Sequence, residues 1–335
     1  MAPLLSIVVP AYNVQNYLQE CLDSVVRQNN NEIEIVLVND GSTDRTDDIC
    51  KSYSRKYKNI HYFSKENGGL SSARNYGIDH AEGLYVSFLD ADDFLPDGCI
   101  EKIIRYIEGA NYDVIFGLYN NYYESENKTE PCGYNLSASK MDQKLGSGLI
   151  DYLISDRIYD WYAWLMIVKK DFITQKDLYF DVGYNFEDVR WTPKVFMEAE
   201  SVGYINAPIY VYRKNRIGSI TTTFSAKNLH DKLAVFDYIE SFAEHYNVSD
   251  SLKLKMFANV ANLYVSALFD SWYMSRSERI ECIDFLSKYA YILKSSSRKY
   301  HNLLYVVSRV TGIKILSYVL YLRAKWVRRK IKNVL

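Results

Sequence analysis

Residues 84–93 read Leu-Tyr-Val-Ser-Phe-Leu-Asp-Ala-Asp-Asp, an apolar run closed by carboxylates at Asp90, Asp92 and Asp93. A short run rich in aromatic and β-branched residues, bounded by turn formers, is the pattern of a buried strand. Three upstream runs share it: Leu5–Val9, Ile33–Val38 and Ile60–Phe63. Helical patterns lie between them. The first puts Tyr17, Leu18, Cys21, Leu22, Val25 and Val26 on one face, and others cover Thr43–Tyr57, Leu70–His80 and Asp97–Ile107. Strands joined by helices of this length close right-handed crossovers into a parallel sheet, and ligands gather at the carboxyl ends of its strands. Asp40, which follows Ile35–Asn39, is therefore expected on the same rim as Asp90, Asp92 and Asp93.

Two carboxylates two positions apart beyond a strand end suit Mg2+ or Mn2+, hard cations that take oxygen ligands and share their shell with substrate phosphates. A cation there would stabilise the charge that grows on a departing diphosphate. A lone Asp after a strand is ordinarily a turn residue or helix cap. Asp-Ala-Asp-Asp, together with Asp40-Gly-Ser, instead concentrates like charges that a cation or hydrogen-bond donors must offset.

Downstream, 124–148 is polar, contains Pro131 and reads as an irregular excursion at the sheet edge. Helical patterns near Leu149–Ser155 and Tyr162–Lys169 precede another over Asn185–Ala199, and Gly203–Tyr212 reads as a returning strand. From Ser225 the pattern is helical, and no internal repeat is present.

With 335 residues, 48% apolar and 24% charged, the chain is globular, large enough for two domains or one with appendages, and neither collagen-like nor disordered. Its five cysteines are scattered and odd in number, which argues against a disulfide framework or a zinc site. Leu4–Val9 runs into Pro10 without a basic leader or cleavage site, so it reads as a strand rather than a secretion signal. Sequons at Asn127, Asn135 and Asn247 are accordingly expected to carry no glycan.

Four segments in order, Ser6-Ile-Val-Val-Pro-Ala-Tyr-Asn13, Val38-Asn-Asp-Gly-Ser-Thr-Asp44, Asn67-Gly-Gly-Leu-Ser-Ser-Ala-Arg-Asn75 and Phe88-Leu-Asp-Ala-Asp-Asp93, resemble family 2 glycosyltransferases of the GT-A fold. The resemblance covers about residues 4–120 and continues more weakly to 222. It implies an α/β fold with a mostly parallel, Rossmann-like sheet in a catalytic domain over 1–222. The nucleotide-sugar half would be 1–120, the acceptor half 121–222, and a helical region would occupy 223–335. By the same resemblance, Pro10, Ala11, Tyr12 and Asn13 line a base pocket, with Tyr12 against a uracil. Asp40 bonds the base, Gly41, Asn67 and Gly68 complete the pocket, and Arg74 faces the diphosphate. Asp90 and Ala91 reach the ribose or donor sugar, and Asp92, with Asp90, holds the metal.

A second acidic site, Asn185-Phe-Glu-Asp-Val-Arg190, is similar to the family's catalytic pair. Asp188, with Glu187 beside it, is the expected base that takes the acceptor proton during an in-line displacement. The other reading of the pair is that both acids complement a helix N-terminus. Tyr212-Arg-Lys-Asn-Arg-Ile-Gly-Ser-Ile-Thr221 is similar to the segment that folds over donor phosphates, with Arg213, Arg216 and Ser219 as its clamp. Asn215-Arg216 stands where many relatives have a His-Pro pair and leaves no histidine there as a third metal ligand. Trp161 and Trp164 fall where the family places acceptor-side aromatics; at helical spacing such rings also serve as core.

These assignments imply a metal-dependent, inverting transfer from a UDP-sugar to a hydroxyl of a saccharide on a polyprenyl diphosphate, in synthesis of a bacterial capsule, exopolysaccharide or cell wall. The enzyme would work at the cytoplasmic membrane's inner face. A catalytically silent nucleotide- or membrane-binding partner of another transferase is the alternative. A nucleotidyltransferase would need a Gly-rich basic loop near the N-terminus, which is missing.

Net charge is -1, yet no acid follows Asp284, while 285–335 holds twelve of the 40 Lys and Arg. The tail is thus +12, and the rest, with 28 cations against 41 acids, is -13. Within 303–335 the longest uncharged apolar run, Ile315–Leu322, is only eight residues, against roughly 20 needed to cross a bilayer. The tail fits a helix lying in an anionic membrane surface, or a helical bundle with a solvated basic face that could support a homodimer. Nucleic acid is not an expected partner, since no binding motif is present and the remainder is acidic.

Overall fold

No in-out alternation marks Leu5–Ala11 (β1) or Ile33–Asp40 (β2), and every residue of both is buried, as strands covered on both faces require. In the computed structural model, which describes residues 2–109, 111–133, 144–155, 161–214, 224–296 and 298–332, they pair in parallel with Ile60–Lys65 (β3) and Tyr85–Phe88 (β4) in the order β3-β2-β1-β4. Leu18–Val26 (α1), Thr46–Lys56 (α2), Leu70–His80 (α3) and Cys99–Glu108 (α4) are the connecting and flanking helices. The chain divides into two units, Met1–Ser219 and Ile220–Leu335.

Past β4 the sheet departs from the expected parallel order. Met166–Lys169 (β7) lies antiparallel between β4 and Val114–Tyr123 (β5), and Val202–Lys214 (β8) runs parallel to β5 with a register shift near Gly117 and Leu118. The helical pattern read over Tyr162–Lys169 is thus wrong. A 3-10 turn at Ala163–Leu165 leads directly into a strand. Four residues cannot distinguish periods of 2 and 3.6, and their flanking strands decide. The polar excursion is also partly corrected, because Lys128–Pro131 (β6) pairs antiparallel with β5. A polar edge strand carries little of the apolar signal that reveals central ones.

Gly146–Ser155 (α5), Lys170–Gln175 (α6) and Glu187–Glu198 (α7) complete the first unit. From α7, Trp191 stacks on Phe180 and meets Phe88 edge-on, and Phe196 meets Phe116 edge-on. These contacts fix the helix that carries Glu187 and Asp188 against the sheet.

The second unit is helical, as read from Ser225: Ala226–His245 (α8), Asp250–Asn259 (α9), Ala261–Asp270 (α10), Arg276–Lys288 (α11), Ile292–Ser295 (α12), Lys299–Thr311 (α13) and Ile313–Lys332 (α14). Ser225, Ser249 and Ser275 cap three of these helices, the last through a reciprocal box with Glu278, each satisfying otherwise orphaned N–H groups. Phe236, Phe257, Tyr264 and Leu286 form its core around a buried Lys232–Asp270 ion pair at 2.7 Å. From α14, Leu316, Ser317 and Leu320 are buried, and Ser317 accepts from Trp272. Among the described residues no helix is long and apolar enough to cross a membrane.

Gly77 shows how closely α3 approaches β1: a Cβ there would lie 2.2 Å from Val8 Cγ1. Gly77→Ala should therefore cost about 1–3 kcal/mol by overpacking. Urea denaturation should also show that Gly77→Ala combined with Val8→Ala costs less than the two single changes added together.

Candidate active site

β1 loses its β4 neighbour beyond Val8–Phe88 while its pairing with β2 continues to Ala11–Asn39. Pro10, which lacks an N–H, falls just past that point, where one ladder has ended. The following turn is latched to the loop after β2: Asn13 N–H donates to Ser42, Thr43 N–H to Asn13 Oδ1, and Val14 N–H to Thr46. Above this latch the Tyr12 ring is 49% exposed, a flat apolar surface left open at the carboxyl rim.

Asp40, at the end of β2, is buried and turned toward α3. Its carboxylate accepts from the N–H groups of Gly68 (3.0 Å) and Gly69 (2.8 Å), at the amino end of α3, and from Lys65 Nζ (2.6 Å). Asn67 Nδ2 donates to its carbonyl. Gly41 has φ +72° and no room for a Cβ, which would meet Asn67 N at 2.8 Å. The predicted pocket residues Asp40, Gly41, Asn67 and Gly68 therefore form one hydrogen-bonded corner. Lys65, absent from the predicted set, is its cation; its signal was a Lys at a strand end two positions before Asn67.

Arg74 is 2% exposed. Its Nη1 donates to Glu187 (2.5 Å) and its Nη2 to Asp90 (2.7 Å), while Nε is buried without a partner. Burial alone would lower its pKa, but Asp90 and Glu187 more than offset this and raise it. The guanidinium also lies over Phe180 and Phe88. Arg74, expected to face a diphosphate, here ties the end of β4 to the start of α7 through Asp90 and Glu187.

Asp188 follows Glu187 at the start of α7 and is half-buried. Desolvation and the adjacent Glu187 charge hold its pKa well above the ordinary 3.8, with Arg74 opposing. The structure thus separates the pair: Glu187 is committed to Arg74, and Asp188 is a carboxylate with raised proton affinity.

Asp90, Asp92 and Asp93 also diverge. Asp93 is buried, accepts from the Tyr210 hydroxyl (2.7 Å) and Arg213 N–H (2.7 Å), and has its pKa raised by burial and by the charges of Asp92 and Asp90. Asp92 is partly exposed, and Ala91 is buried. Among the described residues no group of three or more His, Cys, Asp and Glu is arranged to encircle a metal. Asp92, with Asp90 beside it, nonetheless fits a cation that draws its other ligands from phosphate and water.

Arg213, expected as part of a phosphate clamp, is placed here as an internal staple. It is 4% exposed and reaches Glu20 (2.6 Å), Glu124 (2.9 Å) and the Asp92 carbonyl (2.9 Å). β8 holds its backbone against Asp93, which turns its side chain inward. Arg216 and Ser219 lie outside the described residues. Trp161 and Trp164 are both buried, and Trp164 stacks on Tyr162 and Tyr210, so neither ring is an open acceptor platform. Asp93, Glu20 and Glu124 were missed as partners because nothing in their spacing links them to residue 213.

The first unit has the GT-A fold, shared with S. aureus TarS 1-349 in complex with UDP-GlcNAc at a TM-score of 0.67 and 20% identity, covering 96% of this chain and 91% of that one. Residues 6–161 match the family described as glycosyl transferase family 2. A glycosyltransferase of Rickettsia typhi is 34% identical over 230 residues, 68% of each protein. The uncharacterized glycosyltransferase EpsJ of Bacillus subtilis is 33% identical over 220 residues, 64% of this chain and 62% of EpsJ. The chain belongs to glycosyl transferase family 2.

Removing Arg74 should leave the buried Glu187 and the partly buried Asp90 without their cation. Arg74→Met is expected to lose about 3–5 kcal/mol of stability, measured by chemical denaturation, with Arg74→Lys retaining part of it.

Proposed function

We propose that this chain transfers a sugar from a UDP-sugar to a saccharide hydroxyl with inversion at the anomeric carbon. The observation that carries this reading is the half-buried Asp188, whose carboxylate has raised proton affinity and which follows the Glu187 bound through Arg74 to Asp90 at the end of β4. The binding half and the candidate base are thereby one connected assembly.

In this mechanism the exposed Tyr12 ring supports the uracil, and the corner around Asp40 bounds the base. Asp92 and Asp90 would hold Mg2+ or Mn2+, which would supply positive charge to offset that of the diphosphate. Asp188 accepts the acceptor hydroxyl proton as that oxygen attacks the anomeric carbon. The bond from this carbon to the diphosphate oxygen breaks, and UDP departs with the bonding pair. Attack opposite the leaving group inverts the centre in one step. UDP-sugars are the first donors to test, since TarS was solved with one. The acceptor proposed is a growing saccharide on a polyprenyl diphosphate, in bacterial surface polysaccharide synthesis.

The test is UDP release in the presence of an acceptor panel. Asp188→Asn should reduce turnover by about 10³-fold or more with donor binding nearly unchanged, and Glu187→Gln should also weaken folding. A base works only when deprotonated, so the rate of the native enzyme should fall as pH drops through the raised Asp188 pKa. That limb should lie above the ordinary carboxylate range and vanish from the residual activity of Asp188→Asn. Turnover unaffected by Asp188→Asn would remove the assignment, and donor binding without release under any condition would favour a silent nucleotide-binding partner.

The metal proposal is checked separately. Asp92→Ala and EDTA should each abolish transfer, and added Mg2+ or Mn2+ should restore it only after EDTA. Full activity in chelator would overturn the metal assignment while leaving Asp188 in place.

A further inference from the structure

Helices at the surface of a bundle normally turn one apolar face inward and a polar face outward. α13 and α14 both break this rule. On α13, Leu304 and Ser308 are buried, yet Leu303, Val306 and Val310, spaced i, i+3 and i+7, are exposed on the other side. On α14, Leu316 and Leu320 are buried, while Ile315, Val319, Leu322 and Trp326 form an exposed row spaced i, i+4, i+7 and i+11. These seven side chains are 46–80% exposed. α14 is thus apolar on two faces, one turned inward and one outward, whereas α13 buries His301, Leu304 and Ser308 and carries its main apolar row on the exposed side.

Charge identifies what the exposed face fits. From Lys299 to Lys332 the sequence holds nine Lys and Arg and no Asp or Glu. Lys314, Arg323 and Lys325 lie on α14 in turns beside the apolar row and are exposed. Pairing this face with its own copy across a two-fold axis would oppose cations to cations, with no acid from either helix to neutralise them. An acidic lipid surface supplies both requirements, hydrocarbon for the apolar row and anionic headgroups for its flanks. Neither helix is apolar enough to span.

We infer that the outward faces of α13 and α14 dock the protein on the surface of an anionic bilayer. The apolar rows enter the headgroup boundary, and the flanking cations pair with lipid phosphates. This goes beyond the proposed sugar transfer and does not depend on it, since docking is read as binding rather than turnover.

The test uses the full chain with vesicles of phosphatidylglycerol and phosphatidylcholine, and with phosphatidylcholine alone. The protein should sediment with the anionic vesicles at least about tenfold more strongly than with the neutral ones, and salt should weaken that binding without abolishing it. Two triple variants, Leu303→Gln with Val306→Gln and Val310→Gln, and Ile315→Gln with Val319→Gln and Trp326→Gln, should each lose about tenfold or more of the anionic binding. Their circular dichroism and sedimentation coefficients should match the native protein. Equal sedimentation with both vesicle types, or with neither, overturns the proposal without recourse to the variants. A native dimer that the variants dissociate, with no vesicle binding, would assign the exposed rows to a second copy and overturn it as well.

Discussion

A guanidinium without access to water must be neutralised where it stands, and much of the first unit is arranged around that requirement at Arg74. Its partners come from distant parts of the sequence, Asp90 at the end of β4 and Glu187 at the start of α7. Desolvating Arg74 and Glu187, and Asp90 in part, is costly, and removing any one leaves the others uncompensated. The triad is therefore weak as a source of net stability and strong as a constraint on position. α7 cannot shift along the sheet without separating Glu187 from Arg74, so the place of Asp188 is set by a contact it does not itself make.

A second buried cation repeats the device on the other side of the same loop. Arg213 on β8 meets Glu20, Glu124 and the Asp92 carbonyl, while Asp93 accepts its backbone N–H. In Asp-Ala-Asp-Asp the outer two carboxylates are thus fastened, Asp90 by Arg74 and Asp93 by Tyr210 and Arg213. Asp92 is partly exposed between them. The raised pKa of Asp93, due first to burial and then to its neighbours' charges, records the electrostatic cost of this crowding. A hard cation beside Asp92 would relieve it, which gives the metal proposal a physical reason apart from family likeness.

Much of the parallel half was legible in the sequence because its signals are local. Leu70–His80 is found with the expected bounds, since Gly69 at φ +85° precedes the helix and Ala81 returns to an extended conformation. The antiparallel half was not, because β7 is four residues long and takes its form from β4 and β5. The candidate site was legible by position and not by orientation. Asp40, Asp90, Asp92 and Asp188 could be picked out from strand ends and motif order, but Arg74 and Arg213 could not be recognised as interior staples. An arginine facing phosphate and one facing a carboxylate of the same chain have the same local sequence; what distinguishes them is a partner more than a hundred residues away, Glu187 for Arg74 and Glu20 for Arg213. The orientation of Trp164 was hidden likewise, since its ring stacks on Tyr210 from β8.

The basic tail presents the converse case, in which the bundle reading accounts for one face of the helices and leaves another exposed. Burial of Leu316, Ser317 and Leu320, with the Trp272 bond to Ser317, makes α14 a member of a bundle. The exposure of Ile315, Val319, Leu322 and Trp326 leaves a second row that bundle packing does not explain. A periodic apolar pattern reports only that a face is to be covered, and a helix with two such faces needs two covers. Here the inner cover is protein. The outer one must tolerate a field of cations without a single carboxylate among them, and on that requirement rests the proposal of an anionic surface rather than another copy of the same chain.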